Sequence, residues 1–151
     1  MDKNLVLISG AVLFKEARGK RRWFIVKQGD EDKWEIAKVF VRKGESSVRA
    51  AIRMMGEQGG MSTKVLEEAG RSGGVTTINS KTLPQRHLYY LMILQSGVKE
   101  AIGFANYQWL EYTKAIRKLS SKRERAMLRQ ARQELNKWKK AKKLKKTKEN
   151  L

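Results

Sequence analysis

The sequence predicts an α/β domain over residues 1–119, followed by a basic helical or disordered extension over 120–151. Two observations support the domain and a third supports the extension. Apolar, β-branched runs at 5–14, 22–27 and 86–94 have the form of strands, while the segment after Ser46 repeats apolar side chains at helical spacing. Beyond Leu119 the chain breaks at Ser120-Ser121 and turns to lysine and arginine.

Leu5 to Phe14 reads as a strand buried on both faces. Ala17-Arg-Gly-Lys20 is a turn, and Arg22 to Lys27 completes a hairpin. Gln28 to Lys33 is a polar loop, and Trp34 to Ile36 is a short extended piece. Ser46 or Ser47 caps the next helix, because a serine oxygen accepts from the free N–H groups of a first turn. Val48, Ala51, Ile52 and Met55 form its apolar face, predicted to lie on the sheet. Gly56 inside it costs about 1 kcal/mol relative to alanine. Gly59-Gly60 stops it, since glycine accepts the left-handed conformation of a helix end.

Ser72-Gly73-Gly74 signals a turn, with a strand near Val75 to Ile78. Arg86 to Leu94 is a buried strand, in which His87 is read as a paired strand histidine. Tyr107 to Leu110 and a short helix to Leu119 close the domain. Ser121-x-x-Glu124 matches a capping box that opens another helix. Leu128, Ala131, Leu135 and Trp138 share one face of it, predicted to dock on apolar surface; stacking of Trp138 on a base is the alternative. From Lys139 to Lys148 there is almost no apolar face, and like charges oppose an isolated helix.

Composition narrows the function. A chain of 151 residues, 40 % of them hydrophobic, suffices for one domain with a core. The lack of cysteine excludes disulfides and thiolate metal sites. Apolar runs fall far short of the roughly 20 residues of a membrane span, and the first is too short for a secretory signal. The expectation is an intracellular, cytoplasmic protein with no membrane partner. There is no phosphate-binding G-x-x-x-x-G-K-[ST], no serine-nucleophile motif and no zinc spacing.

The net charge is +19, and residues 114–151 hold 16 Lys/Arg against 3 acids. Such a field attracts polyanions, so RNA or a ribonucleoprotein is the expected partner. A merely solubilising tail is the alternative. The candidate nucleic-acid-binding residues are Lys122, Arg123, Arg125, Arg129, Arg132 and Lys137 on the capped helix. Lys139, Lys140, Lys142, Lys143, Lys145, Lys146 and Lys148 follow in the cationic run.

Residues 34–60, WEIAKVFVRKGESSVRAAIRMMGEQGG, resemble the Nudix hydrolase signature G-x5-E-x7-R-E-U-x-E-E-x-G-U, with U apolar. Trp34, Glu35, Lys38, Val41, Gly44, Glu45, Ser46, Ala50, Ala51, Arg53, Glu57 and Gly60 fall on the pattern without gaps. Val39 replaces its first glycine, and Met54 and Gln58 replace two of its acids. The resemblance implies a Nudix-like α/β/α sandwich with a mixed sheet over about residues 3–119.

Nudix enzymes cleave a nucleoside diphosphate linked to another group, using Mg²⁺ held by carboxylates on one helix face. Hard cations need oxygen ligands there, and Glu57 is the charged one left, with Gln58 a weak neutral donor. Gly103 and Asn106 stand where relatives bring another acid. An alternative register ending at Glu67-Glu68-Ala69-Gly70 breaks the spacing to Arg53, so those acids read as surface. The resemblance therefore implies a non-catalytic Nudix-like binding protein, similar to the degenerate domains that serve as structural subunits of mitochondrial ribosomes. No cofactor is expected on this reading. The alternatives are a pyrophosphohydrolase of nucleoside or dinucleoside polyphosphates, with Arg53 and Glu57 as residual site residues and Mg²⁺ as cofactor, or a sensor holding a nucleotide in the cleft uncleaved.

Overall fold

The computed structural model describes residues 5–28, 32–97, 101 and 103–150. Met1 to Asn4, the loop residues Gly29 to Glu31, and Leu151 of the extension lie outside the described residues. The elements are β1 (Val6–Ala17), β2 (Lys20–Lys27), β3 (Ala37–Phe40), α1 (Ser47–Gly59), β4 (Met61–Ile78), β5 (Lys81–Gly97), β6 (Asn106–Leu110), α2 (Tyr112–Lys118) and α3 (Lys122–Glu149). Among the described residues the strands form one mixed sheet in the order β4-β5-β1-β2-β6. β1 and β5 run parallel, and the other pairs are antiparallel. β1 pairs with β3 through Ile8–Ala11 and with β2 through Phe14–Ala17, so its edge away from β5 is shared by two partners.

Alternation along the strands builds two cores, since successive side chains point to opposite faces. Ala11 and Leu13 of β1, Phe24 and Val26 of β2, and Tyr90 and Met92 of β5 face α1. Val12 and Phe14, Trp23 and Ile25, and Tyr89 and Leu91 face α2 and α3. The result is an α/β/α sandwich around a mixed sheet. Leu128, Ala131 and Leu135 are buried in the second core, with Trp138 packed at its margin, so the expected apolar face of α3 is the docked one.

Two expectations are corrected, and the lysine run is specified. The buried face of α1 is Ala50, Ala51, Met54 and Met55, whereas Ile52 is 40 % exposed and does not face the sheet. Val48 is only partly buried. Ser72-Gly73-Gly74 is not a turn: β4 runs through it, paired with Gln85 to His87. The reversal is at Asn79-Ser80, with φ of 51° and 64°, the left-handed conformations of a two-residue hairpin turn. The lysine run is helical, α3 continuing to Glu149.

Candidate functional site

The entrance of α1 is held from both sides. Ser46 caps it, its side chain accepting from Arg49 N–H at 3.1 Å. Ser9, buried in β1, donates to the Ser47 carbonyl at 2.6 Å, and the Ser47 and Tyr90 hydroxyls are bonded. At the other end Gly60 has φ 61° and donates back to Gly56, a left-handed stop.

Glu45 stands just before the cap. Its carboxylate accepts from Arg53 Nε at 2.7 Å, from Arg53 Nη2 at 3.1 Å and from Arg42 N–H at 3.1 Å. Arg53 Nη2 also donates to the Phe40 carbonyl at 3.2 Å. The Arg53 hydrogen bond, with that from the Arg42 backbone, pulls the Glu45 carboxyl down to about 2, and Glu45 in turn raises Arg53. A forked Arg–carboxylate pair fixes both partners' geometry, so this pair fastens the loop from Phe40 to Glu45 onto the helix.

Of the positions that would hold metal, Met54 is turned inward while Glu57 stays exposed on the helix. Glu57 is mostly exposed and lies 3.7 Å from Arg53 and 3.9 Å from Arg42. Met54 is fully buried between sheet and helix, so the side chain at that position points into the core. The Gln58 backbone carbonyl accepts from Gly103 N–H at 2.7 Å. A Cβ on Gly103 would come within 2.6 Å of the Gln58 backbone, so the segment before β6 closes on the end of α1 at a distance only glycine permits. Among the described residues no group of three His, Cys, Asp or Glu side chains gathers to hold a metal. Two or three Mg²⁺ ions need several oxygen ligands, and the residues present do not fit them. Next to this region lies a cleft of about 340 Å³ lined by Lys15, Met61, Tyr107 and Trp109, with the Lys15 ammonium 4.4 Å from the Trp109 ring centroid.

The candidate cations of α3 divide into two sets. All of them but Arg125 and Lys139 are exposed. Arg125 caps carbonyls at the α2–α3 junction, donating to Leu119 at 2.7 Å and Ser120 at 3.2 Å. Arg132 lies over the Tyr112 ring, Lys137 pairs with Glu134, Lys139 with Glu16, and Lys142 lies over Trp138.

Sequence reasoning missed the centre that locks α3 to the sheet. Ser121 caps the helix, accepting from Glu124 N–H at 3.3 Å, yet the Glu124 side chain does not complete a capping box. It is 1 % exposed and accepts from Ile36 N–H at 2.9 Å, Lys38 Nζ at 2.8 Å and Tyr89 OH at 2.8 Å. Beside it, His87 is buried and stacked on Tyr89, with its Nδ1 left without a hydrogen-bond partner. Burial, helped by Arg123 and Lys38, lowers His87 to about 4. The cleft residue Lys15 did carry a signal, because it extends the Ala11, Leu13 alternation toward the α1 face. His87 on its own carried none for its empty nitrogen.

Solved structures match this architecture. A C. elegans Ap4A hydrolase in a binary complex is 22 % identical with a TM-score of 0.68, covering 87 % of this chain and 98 % of its own. The E. coli dihydroneopterin triphosphate pyrophosphohydrolase is 14 % identical with a TM-score of 0.66, covering 82 % and 92 %. The Nudix domain of Shewanella oneidensis NrtR, complexed with ADP-ribose, is 15 % identical with a TM-score of 0.65, covering 88 % and 90 %. No protein-family model matches the chain, and no curated protein matches it in sequence. At these identities the likeness is one of fold, and the chain has the Nudix fold. Among the described residues no helix is long and apolar enough to cross a membrane.

Proposed function

We propose that this Nudix-fold protein binds RNA, alone or in a ribonucleoprotein, and does not hydrolyse nucleotides. The observation that supports this is the sign of the charge at its two faces. At α1 the remaining acids, Glu45 and Glu57, lie against Arg53 and Arg42, with Met54 and Gln58 in place of two more. Developing charge on a phosphoryl group in hydrolysis needs cations held by carboxylates. Along α3 the exposed face is cationic over a helix of 28 residues, about 42 Å at 1.5 Å per residue. That length follows a nucleic-acid backbone through its phosphates, a mode that positions without reading sequence.

Binding of a labelled RNA strand by the full chain tests this. Affinity should fall steeply between about 50 and 200 mM salt through counterion release. Replacing Lys143, Lys145, Lys146 and Lys148 together with Gln should weaken binding and flatten the salt slope by roughly 0.7 per lost contact, at unchanged thermal stability. Affinity indifferent to salt and to these lysines would overturn the RNA reading.

A second reading is favoured by the cleft beside Lys15, Tyr107 and Trp109. It would hold a nucleotide, either uncleaved or, with Glu57 exposed on the helix, as a nucleoside or dinucleoside polyphosphate substrate. Mg²⁺- or Mn²⁺-dependent turnover of nucleoside diphosphate derivatives, abolished by Glu57→Gln, would establish the enzyme and defeat the non-catalytic reading.

A further inference from the structure

Between the inner side of α3 and the sheet runs an open groove of about 460 Å³ whose apolar floor the phosphate-binding reading leaves unused. Its floor is apolar, made by Phe14 of β1, Ile93 of β5 and Trp138 of α3. Its rim is cationic, made by Lys139, Lys142, Lys143 and Lys146, one helical turn after another. The one acid in it, Glu16, is already matched, pairing with Lys139 at 2.6 Å and Arg21 at 3.3 Å. Trp138 is half-buried and turns a ring face to Lys142, whose ammonium lies 4.9 Å from the ring centroid.

The ligand chemistry follows from that combination. Phosphates alone would be served by the exposed lysines on the outer side of α3 and would gain nothing from an apolar floor. Duplex RNA keeps its bases stacked inside and offers the groove only ribose and phosphate. A single strand offers both a flat apolar ring and an anion beside it, and any base can stack on an aromatic side chain. Resting on the RNA reading above, we infer that this groove takes an unpaired base of single-stranded RNA, with Trp138 as the stacking partner. Lys142 leaves the indole face for the base and moves to the adjoining phosphate, joined by Lys143 and Lys146.

Binding measured on the full chain separates this inference from the reading beneath it. The probes are a labelled single strand of about ten nucleotides, an abasic ribose-phosphate strand of equal length, and the corresponding duplex, all at about 100 mM salt. The base-bearing strand should bind about ten-fold more tightly than the abasic one. That ratio should fall to near one in Trp138→Leu, which keeps an apolar side chain, while the salt slope stays as in the parent. Equal affinity for base-bearing and abasic strands, or a ratio that survives Trp138→Leu, overturns the groove assignment and leaves RNA binding standing. Failure to bind any strand overturns both. Capture by phosphatidylglycerol vesicles that Trp138→Leu abolishes, without base preference, would give the groove to a lipid and overturn the inference. If Trp138→Leu does not fold, ultraviolet cross-linking of 4-thiouridine RNA to the parent chain decides. Cross-links at Trp138 or Ile93 are expected, and cross-links confined to other segments refute the inference.

Discussion

Glu124 is the most exposing place to perturb this molecule. Its carboxylate is buried, yet it serves three donors from two strands: the Ile36 backbone leading into β3, the Lys38 ammonium of β3 and the Tyr89 hydroxyl of β5. Glu124→Ala strands all three. A buried donor without a partner costs about 1–3 kcal/mol, and breaking a buried ion pair from one side typically costs about 3–5 kcal/mol. The three losses are not additive, because the donors relax into the same void, so about 3–5 kcal/mol is the expected total. For a chain of this length each kcal/mol moves the thermal midpoint by about 2–4 °C, which makes a drop of roughly 6–20 °C.

Glu124→Gln keeps the shape and one acceptor oxygen and should lose less than half as much. Thermal unfolding followed by circular dichroism at neutral pH measures both, with Glu149→Ala, an exposed acid at the end of the same helix, as the control expected to shift little. Removing Lys38 as well, as Lys38→Met on Glu124→Gln, should cost less than the two separate losses together, since the cation is no longer left buried alone. A Glu124→Ala midpoint within about 3 °C of the parent would refute the view that this carboxylate clamps α3 to the sheet.

Ile52→Asp should fold with a loss below about 1 kcal/mol, whereas Met54→Asp should unfold the chain, because an isolated charge cannot be buried between sheet and helix; urea midpoints distinguish them. Ser80→Gly should stabilise by about 0.5–1 kcal/mol, since φ of 64° is strained for serine and free for glycine; an unchanged midpoint would count against the turn. His87, lowered to about 4 by burial, takes up its proton in the unfolded chain first. Stability should therefore fall as pH drops from about 6.5 to 4, by up to about 3 kcal/mol, and level off below. In His87→Phe, which keeps the stacking on Tyr89, that dependence should be absent relative to the parent.

Elements with a local cause were legible in the sequence. The α1 cap, the glycine stop at Gly60 and the docked face of α3 each follow from side chains a few positions apart. What was misread depended on partners far along the chain. Ile52 fits an apolar stripe at helical spacing as well as Met54 does; only the way α1 lies on Leu13, Phe24 and Met92 decides that Met54 is inside. Asn79-Ser80 lacks the glycine that usually marks a tight hairpin, and Gly73-Gly74 supplies one where the strand continues, so the local signal lies six residues before the turn itself. Glu124 fits the capping-box spacing, and nothing local says that its carboxylate is claimed by Tyr89, 35 positions away.

The candidate site divides along the same line. That the Nudix helix had lost acids could be read directly, since Met54 and Gln58 are single letters in a fixed frame. That Glu57 meets Arg53 follows from their spacing of four on one helix. That Arg42 joins them and that Arg53 forks onto Glu45 could not be read, because both take the loop from Phe40 to Glu45 folding back over α1. This closure changes the meaning of the substitutions. Putting a glutamate back at position 54 would bury it against Leu13 and Phe24 rather than offer it to a metal. Gln58→Glu would add a second carboxylate beside Glu57, but with Gly103 pressed onto its backbone. Met54→Glu with Gln58→Glu should therefore lower stability by several kcal/mol without Mg²⁺-dependent turnover. Turnover regained in that variant would mean that α1 can rotate its loaded face out of the core, and the packing of Met54 would no longer argue against metal at this helix.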